Sequence, residues 1–215
     1  MRNKILTLNE ENYREFIEIL TERDRDLRRI VENIGEPPIW IRPANFQTLI
    51  HIILEQQVSL ASARATYEKV KQTIGEDFTP ESFLQLTDEN LKSLGFSRQK
   101  AVYTRSLSSA IVAGDLDLKQ LENLTDEEVK SELTKLKGIG RWTADIYLLM
   151  CLRRADAFPV GDLGLIVGTQ EVKNLERKPT AEELEEIGAK WKPLRAIATR
   201  IIWHFYLKRR GVTNY

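Results

Sequence analysis

Helix-start and helix-stop signals recur along this chain so closely that little room is left for any other kind of element. Thr125-Asp126-Glu127-Glu128 and Thr180-Ala181-Glu182-Glu183 each place a threonine three residues ahead of a glutamate. In that spacing the hydroxyl accepts from the amide three residues on, and the carboxylate reaches back to the threonine amide, which opens a helix. Pro43 precedes Phe46, Leu49, Ile50, Ile53 and Leu54, which are spaced for one buried face, so a helix is expected to start at that proline. Ser59 can cap a further helix that stops at Gly75, and Ser97 another that stops at Gly114. Leu194, Ile197, Ala198, Ile201, Ile202 and Phe205 repeat the same helical spacing near the end. No segment alternates apolar and polar residues between hairpin turns, so the expected fold is all-α.

Turn-like breaks fall at Gly35 to Pro38, at Gly75 to Pro80 and around Phe158 to Gly161, none long or polar enough for a flexible linker. The chain carries no apolar run near the roughly 20 residues that a membrane span needs, and no charged-then-apolar leader. Its 215 residues contain one cysteine, Cys151, too few for an internal disulfide or for a Cys-ligated iron–sulfur cluster. A reducing compartment is the simple expectation. Cys151 lies among Leu148, Leu149, Met150 and Leu152 and reads as packing. Lys+Arg and Asp+Glu are equal at 32 each, so bulk charge neither favours nor excludes a polyanionic partner. The distribution is uneven: Lys208-Arg209-Arg210 and the set Lys135, Lys137 and Arg141 are basic, whereas Asp126 to Glu128 and Glu182 to Glu186 are acidic.

The chemistry concentrates between Leu136 and Leu165. Gly138-Ile139-Gly140 can turn tightly, because glycine tolerates positive φ and lets another chain come close. The turn leads straight into a helical pattern, whose first N–H groups suit a phosphate. Ile139 would anchor the turn while neighbouring amides face outward. An ordinary helix–helix connection is the alternative for a Gly-x-Gly alone. Asp162 follows, set between Gly161 and Gly164 after Phe158 and Pro159. A lone aspartate there would most simply cap the next helix; a catalytic carboxylate could occupy the same cap and be held rigid by it.

Taken together, Leu-x-Gly-Ile-Gly-x-Trp-Thr-Ala, Asp-Ala-Phe-Pro and Gly-Asp-Leu-Gly resemble the helix-hairpin-helix plus Gly/Pro-Asp (HhH-GPD) signature of the DNA glycosylase superfamily. The 3-methyladenine DNA glycosylase II branch is the most similar. The likeness runs from about Pro43 to Tyr206 and is strongest between Leu136 and Leu165. It implies one glycosylase unit of two interleaved helical lobes with an active-site cleft between them, without the N-terminal β-rich lobe that some relatives carry. Residues near the N-terminus would then pack with the C-terminal helices. It implies Asp162 as the catalyst, stabilising the positive charge that builds on the sugar as the base leaves. Bifunctional relatives carry a nucleophilic lysine two residues after the second hairpin glycine; here Trp142 stands there, and the four-cysteine cluster of endonuclease III-like relatives is missing. Both departures imply a monofunctional enzyme that uses water.

The resemblance also implies a DNA grip at Gly138, Ile139, Gly140, Arg141 and Thr143. Backbone carbonyls of Thr134, Leu136 and Ile139 would hold a monovalent cation such as Na+ or K+, the only cofactor implied. Gln57 matches the position that plugs the gap left by a flipped base, and Gln56 would touch base edges; alternatively both glutamines simply end a helix at the surface. Trp142, Trp191 and Trp40 are the pocket candidates, since an indole face favours a cationic alkylated purine, although tryptophan is more often core. Tyr is frequent four residues after the hairpin tryptophan in this branch; Ile146 occupies that place. Arg195 reads as structural, with a DNA contact as the alternative, and His204 as part of a solvated face near the basic tail, with a phosphate contact as the alternative. The implied activity is excision of alkylated purines, such as 3-methyladenine and 7-methylguanine, from damaged duplex DNA during base excision repair. The protein would act as a monomer, in the cytoplasm or nucleoid of a prokaryote or in a eukaryotic nucleus. Hypoxanthine, etheno-adducts or mismatched uracil are rival substrates for the same fold, and a non-catalytic DNA-binding module is the rival of another class.

Overall fold

A computed structural model describes residues 5–212. Twelve α-helices follow one another in these residues, and the described residues contain no strand, only an isolated antiparallel bridge between Thr7 and Arg154. The all-α expectation holds. The chain forms two compact units, one from residues up to Ile41 together with those from Leu148 onward, the other from Arg42–Tyr147.

The first unit contains α1 (Tyr13–Arg23), α2 (Arg25–Ile34), α10 (Leu163–Val172), α11 (Ala181–Ala189) and α12 (Arg195–Arg209). α12 is its centre: Ala196, Ile197, Ala198, Thr199, Arg200, Ile201, Ile202 and His204 are all buried. Its buried faces are mostly apolar, and the polar side chains among them are bonded: Thr199 donates to the Arg195 carbonyl and Arg200 to the Ile39 carbonyl. α10 approaches it closely because position 168 is glycine, where a Cβ would fall 2.5 Å from Ile202 Cγ2. The N-terminal segment is stitched on by Leu8 N–H to the Arg153 carbonyl at 2.8 Å and Ala155 N–H to the Leu6 carbonyl at 3.0 Å.

The second unit holds α3 (Phe46–Glu55), α4 (Leu60–Ile74), α5 (Pro80–Leu84), α6 (Asp88–Leu94), α7 (Arg98–Val112), α8 (Asp126–Thr134) and the first part of α9 (Arg141–Met150). α3 lies at its core with Phe46, Leu49, Ile50, Ile52, Ile53 and Leu54 buried. Phe46 meets Phe78 and Phe83 edge-on, with ring centroids 5.8 and 6.2 Å away. The expected caps at Ser59, Ser97, Thr125 and Thr180 are all made. Pro43 corrects one expectation: α3 starts three residues later, at Phe46, because the Asn45 side chain accepts from Thr48 N–H and makes the cap there.

Candidate functional site

In the second unit the α8–α9 connection is the hairpin. Gly138 has φ of +89°, and a Cβ there would fall 1.9 Å from Tyr103 Cγ, so the tyrosine ring covers that face of the turn. A side chain at 138 would meet both steric objections at once. Gly140 differs: its φ is not positive and a Cβ would meet nothing within 4 Å, which leaves that side of the turn approachable. The Gly140 carbonyl accepts from Ala144 N–H at 3.1 Å, which places this glycine at the entrance of α9 without a side-chain cap of its own. Arg141 is exposed in the first turn and lies 3.8 Å from Asp145. Lys130 of α8 reaches the same Asp145 at 3.2 Å and clasps the two hairpin helices together. Burial pushes the Asp145 carboxyl up, and the Lys130 charge offsets part of that push.

Three residues expected at the DNA grip are engaged within the hairpin itself, Ile139 as the anchor the sequence suggested. Ile139 is 3% exposed and its N–H donates to the Leu136 carbonyl at 3.1 Å, so its amide closes the turn and its side chain anchors it. Thr143 is 1% exposed, and its hydroxyl accepts from Gln56. Gln56 spends its amide hydrogens on the hairpin, donating from Nε2 to the Gly138 carbonyl and to Thr143 Oγ1, each at 2.9 Å. It braces the turn. Gln57, the next residue, is exposed and left-handed at φ +56°. Such a conformation costs an ordinary residue of order 1 kcal/mol or more, and it persists here on a chain whose preceding residue is pinned to the hairpin. Val58 and Leu60 beside it are 44% and 51% exposed. Trp142 is half-buried in the first turn of α9, and Ile146 is buried in its interior.

The candidate carboxylate belongs to the first unit. Asp162 is the N-cap of α10, and its Oδ1 accepts from Leu165 N–H at 2.8 Å. The same oxygen accepts from the Trp203 indole N–H, also at 2.8 Å. Gly164 fits between them: a Cβ would lie 3.1 Å from Asp162 Oδ1 and 3.4 Å from Trp203 Cδ1. Trp40 faces Trp203 with centroids 6.3 Å apart and rings tilted by 60°. Trp203 was not among the residues expected from the sequence. On α12 it is one more aromatic residue in a buried helix, and only the packing of α10 on α12 brings its N–H to Asp162.

The segment leading to Asp162 is braced as well. Arg195 forks onto Asp156 at 2.9 and 2.7 Å and reaches Glu185 at 2.9 Å, with its guanidinium over the Phe158 ring. Its structural role is as expected. His204 is 6% exposed, with Nε2 3.3 Å from the Ile34 carbonyl, and burial pulls its imidazole below the ordinary value. It does not lie on a solvated face, because α12 turns that side toward the Ile34 end of α2.

Trp191 is also core, not pocket wall. It is 0% exposed, packs edge-on against Phe158, and donates its indole N–H to Asp24 Oδ2 at 2.8 Å. A ring with neither face accessible cannot stack on a base. Asp24 also holds Lys173 at 2.8 Å through both oxygens, lies 3.3 Å from Lys190, and caps α2. Burial by itself pushes the Asp24 carboxyl up, but the Lys173 and Trp191 hydrogen bonds and the two lysine charges outweigh it and hold it well below the usual carboxylate range. A carboxyl depressed on folding contributes stability above its unfolded value near 3.9 and loses it as pH falls through the folded value. Asp24→Asn should therefore cost about 2–3 kcal/mol near neutral pH: Lys173 keeps its second partner, Asp26, at 2.8 Å, but the charge that folding favours at position 24 is lost. Urea titrations of both proteins should give a gap that is constant above about pH 5 and narrows below about pH 4. A gap that widened in acid would contradict this role.

The model of the HhH-GPD superfamily base excision DNA repair protein matches residues 50–194. A DNA-3-methyladenine glycosylase of Bacillus subtilis is 29% identical over 204 residues, which cover 84% of this chain and 67% of that protein. DNA-3-methyladenine glycosylase 1 of Schizosaccharomyces pombe is 28% identical over 215 residues, covering 92% of both chains. Among solved structures, a DNA-3-methyladenine glycosidase of Bacillus halodurans is similar with a TM-score of 0.77, 30% identity and 91% of each chain covered. The S. pombe 3-methyladenine DNA glycosylase Mag1 in complex with abasic DNA is similar with a TM-score of 0.82 and 25% identity, over 94% of this chain and all of that one. With a family model spanning most of its length, a hairpin ahead of a capped Asp162, and relatives of the same fold, this chain belongs to the HhH-GPD superfamily of base excision DNA repair proteins.

Proposed function

We propose that this protein is a monofunctional DNA glycosylase that excises alkylated purines, such as 3-methyladenine and 7-methylguanine, from duplex DNA. The observation that carries the reading is Asp162, whose Oδ1 is pinned by Leu165 N–H and the Trp203 indole at a helix N-cap. A simple binding module would gain nothing from a fixed carboxylate beside phosphates. The printed names of the B. subtilis and S. pombe relatives support the alkylbase substrate.

In this mechanism the backbone around Gly140 and the start of α9 holds a phosphate, and Gln57 fills the gap left by the extruded nucleotide. Flipping costs a few kcal/mol, least for a damaged base. The bond from C1′ of the sugar to the purine nitrogen breaks with its electron pair going to the base, which neutralises a cationic alkylpurine. Asp162 stabilises the positive charge left on the sugar, water adds its oxygen to C1′, and the water proton passes to the carboxylate or to solvent. The products are a free base and an abasic site. Trp142 in place of a lysine supports hydrolysis without strand cleavage, since no amine stands there to form a Schiff base. An indole face favours a cationic base by ~0.5–2 kcal/mol, and Trp40 and Trp203 are the candidate faces in the first unit, Trp142 the one in the second. The carbonyls of Thr134, Leu136 and Ile139 would hold a monovalent cation that steadies the turn. The Leu136 oxygen already accepts from Ile139 N–H but has a second lone pair, so it fits such an ion. The protein would act as a monomer on damaged duplex DNA.

Randomly methylated duplex DNA incubated with the protein tests this reading. Free methylpurines identified by mass, with strand breaks only after alkali, are the expected result. Breaks before alkali would replace hydrolysis by lyase chemistry. DNA binding without any released base would remove the alkylbase assignment.

A further inference from the structure

One stretch of the first unit has more support than a surface connection requires. Between α2 and α3, the Pro38 carbonyl accepts from the Tyr13 hydroxyl at 3.1 Å and the Ile39 carbonyl from Arg200 Nε at 2.9 Å. Trp40, the next residue, is left-handed at φ +34°, a conformation a bulky residue keeps only when its surroundings impose it. Arg200 is itself 0% exposed, and its other nitrogens donate to the Leu149 carbonyl at 2.9 Å and the Ala196 carbonyl at 3.2 Å. One buried guanidinium thus ties α12, the end of α9 and the strap that carries Trp40. On α12, Arg200, Trp203 and His204 stand three and four residues apart and share a face. Trp40 rests on the other two, 6.3 Å from Trp203 and 6.5 Å from His204 between centroids. Trp203 in turn holds Asp162.

We propose that Arg200 is a positioning residue for base release: by holding the Ile39 carbonyl it fixes Trp40 against Trp203, the indole that orients Asp162. The role rests on the glycosylase reading above. Arg200 touches neither substrate nor the reacting atoms and acts through the strap. A planar fork suits three main-chain carbonyls spread around it, whereas a lysine ammonium on a flexible stem cannot hold the same set.

The test has two arms. In the first, acrylamide quenching is measured for wild type, Trp40→Phe, Arg200→Met and the double variant, so that the Trp40 signal is obtained by difference in each background. The expected result is a Trp40 that quenches more readily once Arg200 is replaced; an unchanged Trp40 overturns the proposal. This arm needs no catalysis, so it decides the link between Arg200 and Trp40 even if methylated DNA proves not to be the substrate. In the second arm, single-turnover base release is compared for Arg200→Met, Trp40→Ala and their combination. Arg200→Met should slow release about tenfold, as expected for a small loss of alignment, without weakening binding to undamaged duplex. Combined with Trp40→Ala it should add no further loss, because both changes remove the same support. Losses that multiply would make Arg200 a general packing residue and overturn the proposal. Should Arg200→Met fail to unfold cooperatively, Tyr13→Phe releases the neighbouring carbonyl of the strap and should shift both readouts the same way to a smaller extent; no shift in Tyr13→Phe would then overturn the proposal.

Discussion

Asp162→Asn should abolish most base release while leaving DNA binding intact. The amide keeps an oxygen that can accept from Leu165 N–H and the Trp203 indole, so the cap and its geometry survive. What disappears is the negative charge beside the sugar as the glycosidic bond breaks. Removing one preorganised electrostatic contact of this kind costs about 10²–10³ in rate, or about 2.7–4 kcal/mol of transition-state stabilisation. Binding should hold or tighten slightly, because a carboxylate near phosphates repels them. Single-turnover release from methylated duplex, with anisotropy on an undamaged one, separates the two effects. Turnover within about tenfold of wild type would take Asp162 out of the chemistry and leave it as a helix cap worth about 1 kcal/mol. A matching loss of affinity and rate would instead mean that the substitution had disturbed the fold.

The second large effect is expected at the hairpin, and it should differ sharply between two glycines. Gly138→Ala places a Cβ 1.9 Å from Tyr103 Cγ and forces a side chain into φ +89°. Each penalty is about 1–3 kcal/mol, so a combined destabilisation of roughly 3 kcal/mol or more is expected. Adding Tyr103→Ala relieves the overlap and leaves the backbone cost, so the double variant should regain part of the loss on that account. Gly140→Ala meets nothing within 4 Å and needs no unusual backbone, so its stability should stay within about 0.5 kcal/mol of wild type. On the glycosylase reading its new methyl group would sit where a phosphate approaches, and it should weaken binding to every DNA sequence alike. Denaturant melts and salt-matched binding to two unrelated duplexes report both. A Gly138→Ala protein as stable as wild type would contradict the described turn, and sequence-selective loss in Gly140→Ala would contradict a phosphate grip.

Much of this protein was legible before any tertiary structure. Caps are local: Ser59, Ser97, Thr125 and Thr180 bond to amides three residues away, so the sequence alone located them. Asp162 was legible for the same reason, as a cap two residues ahead of a glycine, and its likeness to a family signature supplied the chemistry. The start of α3 was misplaced because Pro43 and Asn45 are both good opening residues, and only the hydrogen bond from Thr48 N–H chooses between them.

What residues do at a distance was not legible. Trp40, Trp142, Trp191 and Trp203 are equivalent as letters, yet Trp191 is sealed onto Asp24, 167 positions away, whereas Trp203 binds Asp162. Gln56 and Gln57 are adjacent and identical, but one is spent on a carbonyl 82 positions along and the other stands exposed. Arg200 lies between Thr199 and Ile201 on α12, and nothing in those neighbours hints at the Ile39 carbonyl it holds. By itself the sequence determined the helices, their caps, the hairpin and the aspartate, because propensity, capping and turn geometry act over three or four residues. Tertiary structure alone decided which tryptophan, glutamine or arginine serves the candidate site, because burial and long-range hydrogen bonds depend on which helices pack together.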